Sequence, residues 1–117
     1  MRNISFNLTQ QHIRDRTKTV TRRLGWTFLK PGDRLQGCVK CMGLRPGEKI
    51  QKLAVVEVVS VRREPLNELT RKVFYGVDEV LAEGFPEKTP EQFVQMFCDH
   101  MNATRMTTVT RIEFKYV

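Results

Sequence analysis

The residues best suited to do chemistry lie together near the start of the chain, in Arg16-Thr17-Lys18-Thr19-Val20-Thr21-Arg22-Arg23. Four of these eight residues are cationic, three are threonines and none is an acid. The run has no repeating apolar position, so it reads as a turn and the start of a strand at the edge of a cleft. Lys18 and Thr21 stand three residues apart, close enough for an amine to meet a hydroxyl across a tight turn. A threonine hydroxyl attacks only when a base removes its proton, and a lysine is a base only as the neutral amine. The cations Arg16, Arg22 and Arg23 lower the cost of Lys18 giving up its proton. The same pair can instead hold an anion, and the residues taken alone favour that phosphate-binding turn.

Other chemistries have less support. The serines are Ser5 and Ser60, neither with a neighbouring glycine or histidine, and His12 and His100 fall on expected helices, so a Ser-His-Asp arrangement is not indicated. No cysteine has an evident base beside it. Cys38-Val39-Lys40-Cys41 has zinc-knuckle spacing, but Cys98 and His100 are separated by one residue on an expected helix, so thiols rather than a metal site are expected. Glu79 and Glu83 share a helix face, and acids at that spacing are ordinarily solvated neighbours.

The elements that must position these groups follow from pattern. Asn3 to Leu8 alternates as a half-buried strand, and Thr9 caps a short helix reaching about Arg16 with Ile13 inward. Lys30-Pro31-Gly32-Asp33 and Arg45-Pro46-Gly47-Glu48 are turns, the first opening a strand over residues 34–39. Leu53 to Val61 is the strongest strand, a near-continuous apolar run expected to be central and covered on both faces, with Arg62-Arg63-Glu64-Pro65 ending it. Leu66 to Arg71 is a helical turn capped by Asn67, Val77 to Glu83 a short helix stopped by Gly84, and Thr89-Pro90 with Gln92 opens another helix in capping-box fashion. Phe93, Met96, Phe97 and Met101 form the inward face of that last helix, assigned to core rather than to a ligand site. Thr107 to Val117 is a closing strand. Four or five strands with short helices before the last predict a mixed α+β domain over residues 1–117, its sheet curved towards a barrel that removes exposed edges.

Composition bounds the function. A chain of 117 residues with 40% hydrophobic and 28% charged residues builds one core. No apolar run reaches the ~20 residues of a membrane span, and no signal-peptide pattern is present, so a cytoplasmic protein with no membrane partner is expected. The net charge of +7 is uneven: Arg2, Arg14, Arg16, Lys18, Arg22 and Arg23 precede residue 24 against Asp15 alone. A basic N-terminal face suits phosphate or nucleic acid, and solubility explains it equally well.

The segment Lys18-Thr19-Val20-Thr21-Arg22-Arg23 resembles the G-x-K-x-x-T-x-R signature of ASCH domains, small β-barrels related to the PUA fold of RNA-modifying proteins. Arg16 stands where the signature has glycine, so the turn before Lys18 is expected to adopt another conformation. The resemblance continues through the Lys30-Pro31-Gly32-Asp33 turn, the strand Val55 to Val61, Ala82-Glu83-Gly84-Phe85, the Thr89-Pro90-x-x-Phe93 helix start and the closing Thr110-Arg111-Ile112-Glu113-Phe114, and so spans nearly the whole chain. One branch of these domains hydrolyses the amide of N4-acetylcytidine. The resemblance therefore implies a catalytic triad of Lys18, Thr21 and Glu83, with no metal or other cofactor and a small acylated nucleoside as substrate. Arg23 is assigned to polar contact with substrate or intermediate and Phe6 to stacking on the base, with a place in the core as its alternative; Arg22 has no part in this assignment. The alternative expectation is an RNA-binding module or weak ribonuclease that sets the basic run and Arg62-Arg63 on phosphates.

Overall fold

A computed structural model describes residues 1–117. The elements in chain order are β1 (Arg2–Ser5), a 3-10 turn (Asn7–Thr9), α1 (Gln10–Arg14), β2 (Val20–Arg23), β3 (Arg34–Cys38), β4 (Lys52–Pro65), α2 (Glu68–Arg71), α3 (Val73–Ala82), α4 (Pro90–Met101) and β5 (Thr108–Tyr116). The five strands form one sheet in the order β1-β3-β4-β5-β2, with β1 parallel to β3 and every other pairing antiparallel. The α+β fold is thus as expected. The sheet curls into a half-barrel whose edge strands, β1 and β2, do not pair with each other. The Arg23 guanidinium of β2 bridges that gap, donating to the Ser5 carbonyl of β1.

The strand β4 is the spine and sits in the middle of the sheet, as its β-branched run predicts, but two expectations about it are corrected. It does not stop at Arg62; it continues to Pro65, paired along its length with β5 as far as Thr108. Pro65 falls on the last position, where a missing N–H costs no ladder bond. Nor is it covered on both faces: Val56 and Val58 are buried while Val59 is exposed at a register shift between Val58 and Ser60. The first strand is also shorter than its alternation suggests, because residues 7–9 turn into a 3-10 helix instead.

Two apolar clusters hold the domain. Phe6, Ile13, Leu35, Val56, Ile112 and Phe114 are among those filling the concave side of the sheet. Leu66, Leu69, Val80, Phe93, Val94 and Val109 join the helices to the far end of β4 and β5. Helix α4 has the expected capping box, Thr89 Oγ1 accepting from Gln92 N–H and Gln92 Oε1 accepting from Thr89 N–H. Neither Thr9 nor Asn67 caps its helix through the side chain, contrary to expectation.

Helix α3 begins at Val73, four residues earlier than the pattern suggests. Gly76 lies inside it, where the helix presses on α2: a Cβ at this position would stand 1.9 Å from the Leu69 carbonyl oxygen. Gly84 ends the helix with φ +93, as expected. No helix is long and apolar enough to cross a membrane.

Candidate active site

The basic run is pinned from three sides. The Thr17 and Lys18 amides donate to the carbonyl of His12 at the end of α1, Thr19 N–H to the carbonyl of Ala82 at the end of α3, and Phe114 N–H of β5 to the carbonyl of Thr19. Arg16 adopts φ +62, so it occupies the left-handed region that the signature glycine would favour; the expectation of a different turn is corrected. The Arg16 guanidinium lies 5.5 Å from the centroid of Tyr116, whose hydroxyl donates to the Lys18 carbonyl at 2.6 Å. These contacts offset the ~1–2 kcal/mol that a side chain costs in that conformation.

Lys18 points inward and is 3% exposed. Its Nζ donates to both the backbone carbonyl and the Oε1 of Glu83, the latter at 3.1 Å, and lies about 6 Å from the rings of Phe6 and Phe85. It therefore sits between the two apolar clusters. Burial pulls the amine below its ordinary value; the Glu83 charge opposes this, while Arg23 and Arg22 add to it. Glu83 is the residue that caps the C-terminus of α3, followed by Gly84 at positive φ, and it is buried.

Alternation along β2 puts Thr21 and Arg23 on one face and Arg22 on the other. Thr21 Oγ1 accepts from Arg23 Nε at 3.0 Å, and its own O–H donates to no protein group. Lys18 and Thr21 are not hydrogen-bonded to each other, yet both line one cavity of about 230 Å³ with Glu83, Arg23 and Phe6. Phe6 serves as core and cavity wall at once, packing on Phe114 while its ring faces Arg23 at 5.3 Å. All five residues assigned by sequence thus reach one cavity.

The opposite wall corrects an expectation. Phe93 and Phe97 are core as expected, with Met96 packed on them, yet all three also line the cavity with Met101 and His100, and Met101 is 42% exposed rather than core. Val94, absent from the expected inward face, is fully buried instead. The cysteines lie elsewhere, Cys38 and Cys41 at the end of β3 and Cys98 against the helical cluster. Of the arginines expected to meet phosphate, Arg62 is engaged by Glu64 and Tyr75, and Arg63 by Thr110 Oγ1.

Sequence reasoning missed the layer behind the cavity. Arg22 contacts Glu83, Glu79, Glu64 and Tyr75, and Arg111 grips Glu79 from β5. Glu79, expected to be solvated, is buried. Burial alone would raise its carboxyl, but hydrogen bonds and charge from Arg111 and Arg22 prevail and hold it at about 2. The available signal was the i, i+4 spacing of Glu79 and Glu83 beside the inward-facing Val80.

No family model matches the sequence, and no curated protein does. Solved structures do. A protein of the family DUF984 from Enterococcus faecalis superposes with a TM-score of 0.62 at 19% identity over 95% of this chain and 71% of its own. A point mutant of ZmASCH from Zymomonas mobilis gives 0.59 at 16% identity, over 97% of this chain and 66% of its own. The ASCH domain from Lactobacillus crispatus gives 0.53 at 14% identity, over 97% and 77%. The fold is that of the ASCH domains.

Proposed function

We propose that the chain is an amidohydrolase that cleaves the N4-acyl amide of acylated cytosine nucleosides, N4-acetylcytidine being the reference substrate. The observation that carries this reading is the pairing of Lys18 with Glu83 inside a base-sized cavity that also holds the Thr21 hydroxyl. A neutral lysine amine has two N–H groups and one lone pair. Glu83 accepts both N–H groups, through its carbonyl and its carboxylate. The lone pair is then left to take a proton.

In this mechanism Thr21 Oγ attacks the acyl carbon as Lys18 removes its proton, and Arg23 Nε, already bonded to Oγ, stabilises the oxygen as it becomes an alkoxide. The tetrahedral intermediate collapses, the C–N bond breaks, and the cytosine N4 leaves with the proton held by Lys18. Water, deprotonated by the same amine, then adds to the acyl carbon, the C–Oγ bond to Thr21 breaks as Lys18 returns the proton to Oγ, and the acyl group leaves as carboxylic acid that ionises. Cytosine is a tolerable leaving amine because its ring delocalises charge, so moderate activation suffices. The cavity is smaller than the roughly 300–1,000 Å³ of sites for larger ligands, which suits a base with a short acyl group, enclosed by Phe6, Phe85 and the α4 side chains. Past Met96 and His100 it adjoins an open cleft bearing Glu87, Lys88, Gln92, Gln95 and Asp99, where two carboxylates outnumber the one lysine, a surface better matched to sugar hydroxyls than to a run of phosphates. This favours a free nucleoside over an RNA strand as substrate.

The test is incubation with N4-acetylcytidine, following the ultraviolet change to cytidine. Conversion is expected, with Thr21→Ala and Lys18→Ala abolishing it while circular dichroism is unchanged. Undiminished turnover by Thr21→Ala refutes the assignment.

A further inference from the structure

Glu83 divides its carboxylate between two cations. Oε1 lies 3.1 Å from Lys18 Nζ and Oε2 lies 3.1 Å from Arg22 Nη1. The other terminal nitrogen of Arg22 is 2.6 Å from Glu79 Oε1, 3.4 Å from Glu64 Oε1 and 3.1 Å from the Tyr75 hydroxyl. Arg111 closes the far side of Glu79, with Nη2 at 3.0 Å from Oε2. The Arg22 side chain has no solvent exposure, and its Nε has no hydrogen-bond partner. A buried N–H without a partner costs about 1–3 kcal/mol. That cost is explained if the guanidinium is held by its two ends as a bridge between carboxylates.

The charges of the layer balance without the lysine. Arg22, Arg111 and the half-exposed Arg62 set three positive charges against Glu64, Glu79 and Glu83, and Arg23 adds a fourth from the cavity face of β2. A protonated Lys18 would add a charge with no counterpart, which an enclosed site resists. The charged groups facing Lys18 are Glu83 from the end of α3 and Arg22 and Arg23 from β2. Phe6 and Phe85 form its apolar walls, His100 stands on the α4 wall of the cavity, and Arg16 reaches only its backbone, through Tyr116.

We propose that Arg22 is a positioning residue for this site: by binding one oxygen of Glu83 it turns the other towards Lys18 and withholds part of the carboxylate's charge, so that Lys18 rests as the neutral amine. The use of that amine as a base depends on the amidohydrolase reading; its protonation state does not. Arg22 borders the cavity, but its part in the site is played through Glu83.

The experiment is a carbon-13 NMR titration of the Lys18 Cε resonance in protein labelled at lysine, assigned by Lys18→Arg. In Arg22→Gln the whole charge of Glu83 falls on Lys18, and its titration is expected to move up by roughly one pH unit or more. Arg22→Lys, which keeps the charge, is expected to stay nearer the parent. Arg22→Gln leaves a buried carboxylate in excess and can fail to fold, so Arg22→Gln/Glu64→Gln accompanies it. This pair removes one charge of each sign, keeps the Glu79–Arg111 pair, and is expected to show the same upward shift. A side chain that merely packs would lower stability and leave the Lys18 titration where it is. An unmoved titration in the folded Arg22 variants overturns the proposal, even in an enzyme that turns over. A moved titration in a protein that leaves N4-acetylcytidine intact upholds the role of Arg22 and removes the amidohydrolase reading instead.

Discussion

Replacing Glu79 by glutamine should expose how much of the domain's stability resides in its charged layer. In the native protein this carboxyl is held at about 2 against an ordinary 4.5. A difference of that size corresponds to about 3 kcal/mol at ~1.36 kcal/mol per pH unit. The pair opens slightly to solvent along Arg111, so screening reduces the figure to about 2–3 kcal/mol. The variant also leaves Arg22 and Arg111 facing an amide, a loss in the same direction. Against the ~5–15 kcal/mol that stabilises a domain, this is a large share. Because the native carboxyl is depressed, its contribution is complete above the unfolded value of about 4.5 and is lost as pH falls towards 2. Urea unfolding followed by Trp26 fluorescence is the assay. With a slope near 1.5 kcal/mol per molar urea, the midpoint of Glu79→Gln should fall by about 2 M at pH 7. The gap between native and variant should hold from pH 7 to 5 and narrow steadily from pH 4 to 2.5. A gap at pH 7 below about 0.5 kcal/mol, or one that does not change with pH, refutes the reasoning.

Arg23→Lys keeps a cation but loses the forked contact with Thr21 Oγ1 and the Ser5 carbonyl, so kcat on N4-acetylcytidine should fall by about 100-fold or more, as for a lost oxyanion donor, with a smaller change in KM. Arg16→Gly relieves the positive φ while losing the Tyr116 contact and should change stability by less than about 1 kcal/mol, whereas Arg16→Val should cost about 2 kcal/mol; thermal unfolding of the pair measures the difference. Gly76→Ala drives a methyl group into the Leu69 carbonyl and should cost about 3 kcal/mol by the same assay, lowering turnover as well because α3 carries Glu83.

The local rules made much of the fold legible. The Lys30-Pro31-Gly32-Asp33 turn, the capping box of Thr89 and Gln92, the glycine stop at Gly84 and the closing strand β5 all depend on neighbours close in sequence, and all are found in place. What was misread depends on partners far along the chain. β4 extends past its charged Arg62-Arg63 because β5 lies beside it as far as Thr108. The Asn3 to Leu8 alternation holds as far as Phe6, buried beside Ile4, and breaks at Leu8, which the 3-10 turn leaves exposed. Arg16 holds the conformation of a glycine because Tyr116, a hundred residues later, supplies a ring for its guanidinium and a hydroxyl for the Lys18 carbonyl.

The charged layer was hidden for a stronger reason: helix α3 has its amphipathic sense reversed at the buried face. Val73, Phe74, Val77 and Leu81 are exposed, Phe74 by 86%, while Glu79 and Glu83 are buried. Hydrophobic periodicity assigns such a helix the wrong way round, since apolar burial is the term it counts. The reversal holds because Arg22 and Arg111 wait on the strands to receive the two acids, and neither arginine can be recognised as inward from its own strand. Each half of the layer is therefore unfavourable to bury alone, and becomes stable only when α3 meets β2 and β5. The same meeting brings Glu83 to Lys18, for Thr19 bonds to the Ala82 carbonyl one residue before it. Assembly of the charged layer and assembly of the candidate site are thus one event, and a substitution that prevents α3 from docking should remove both together.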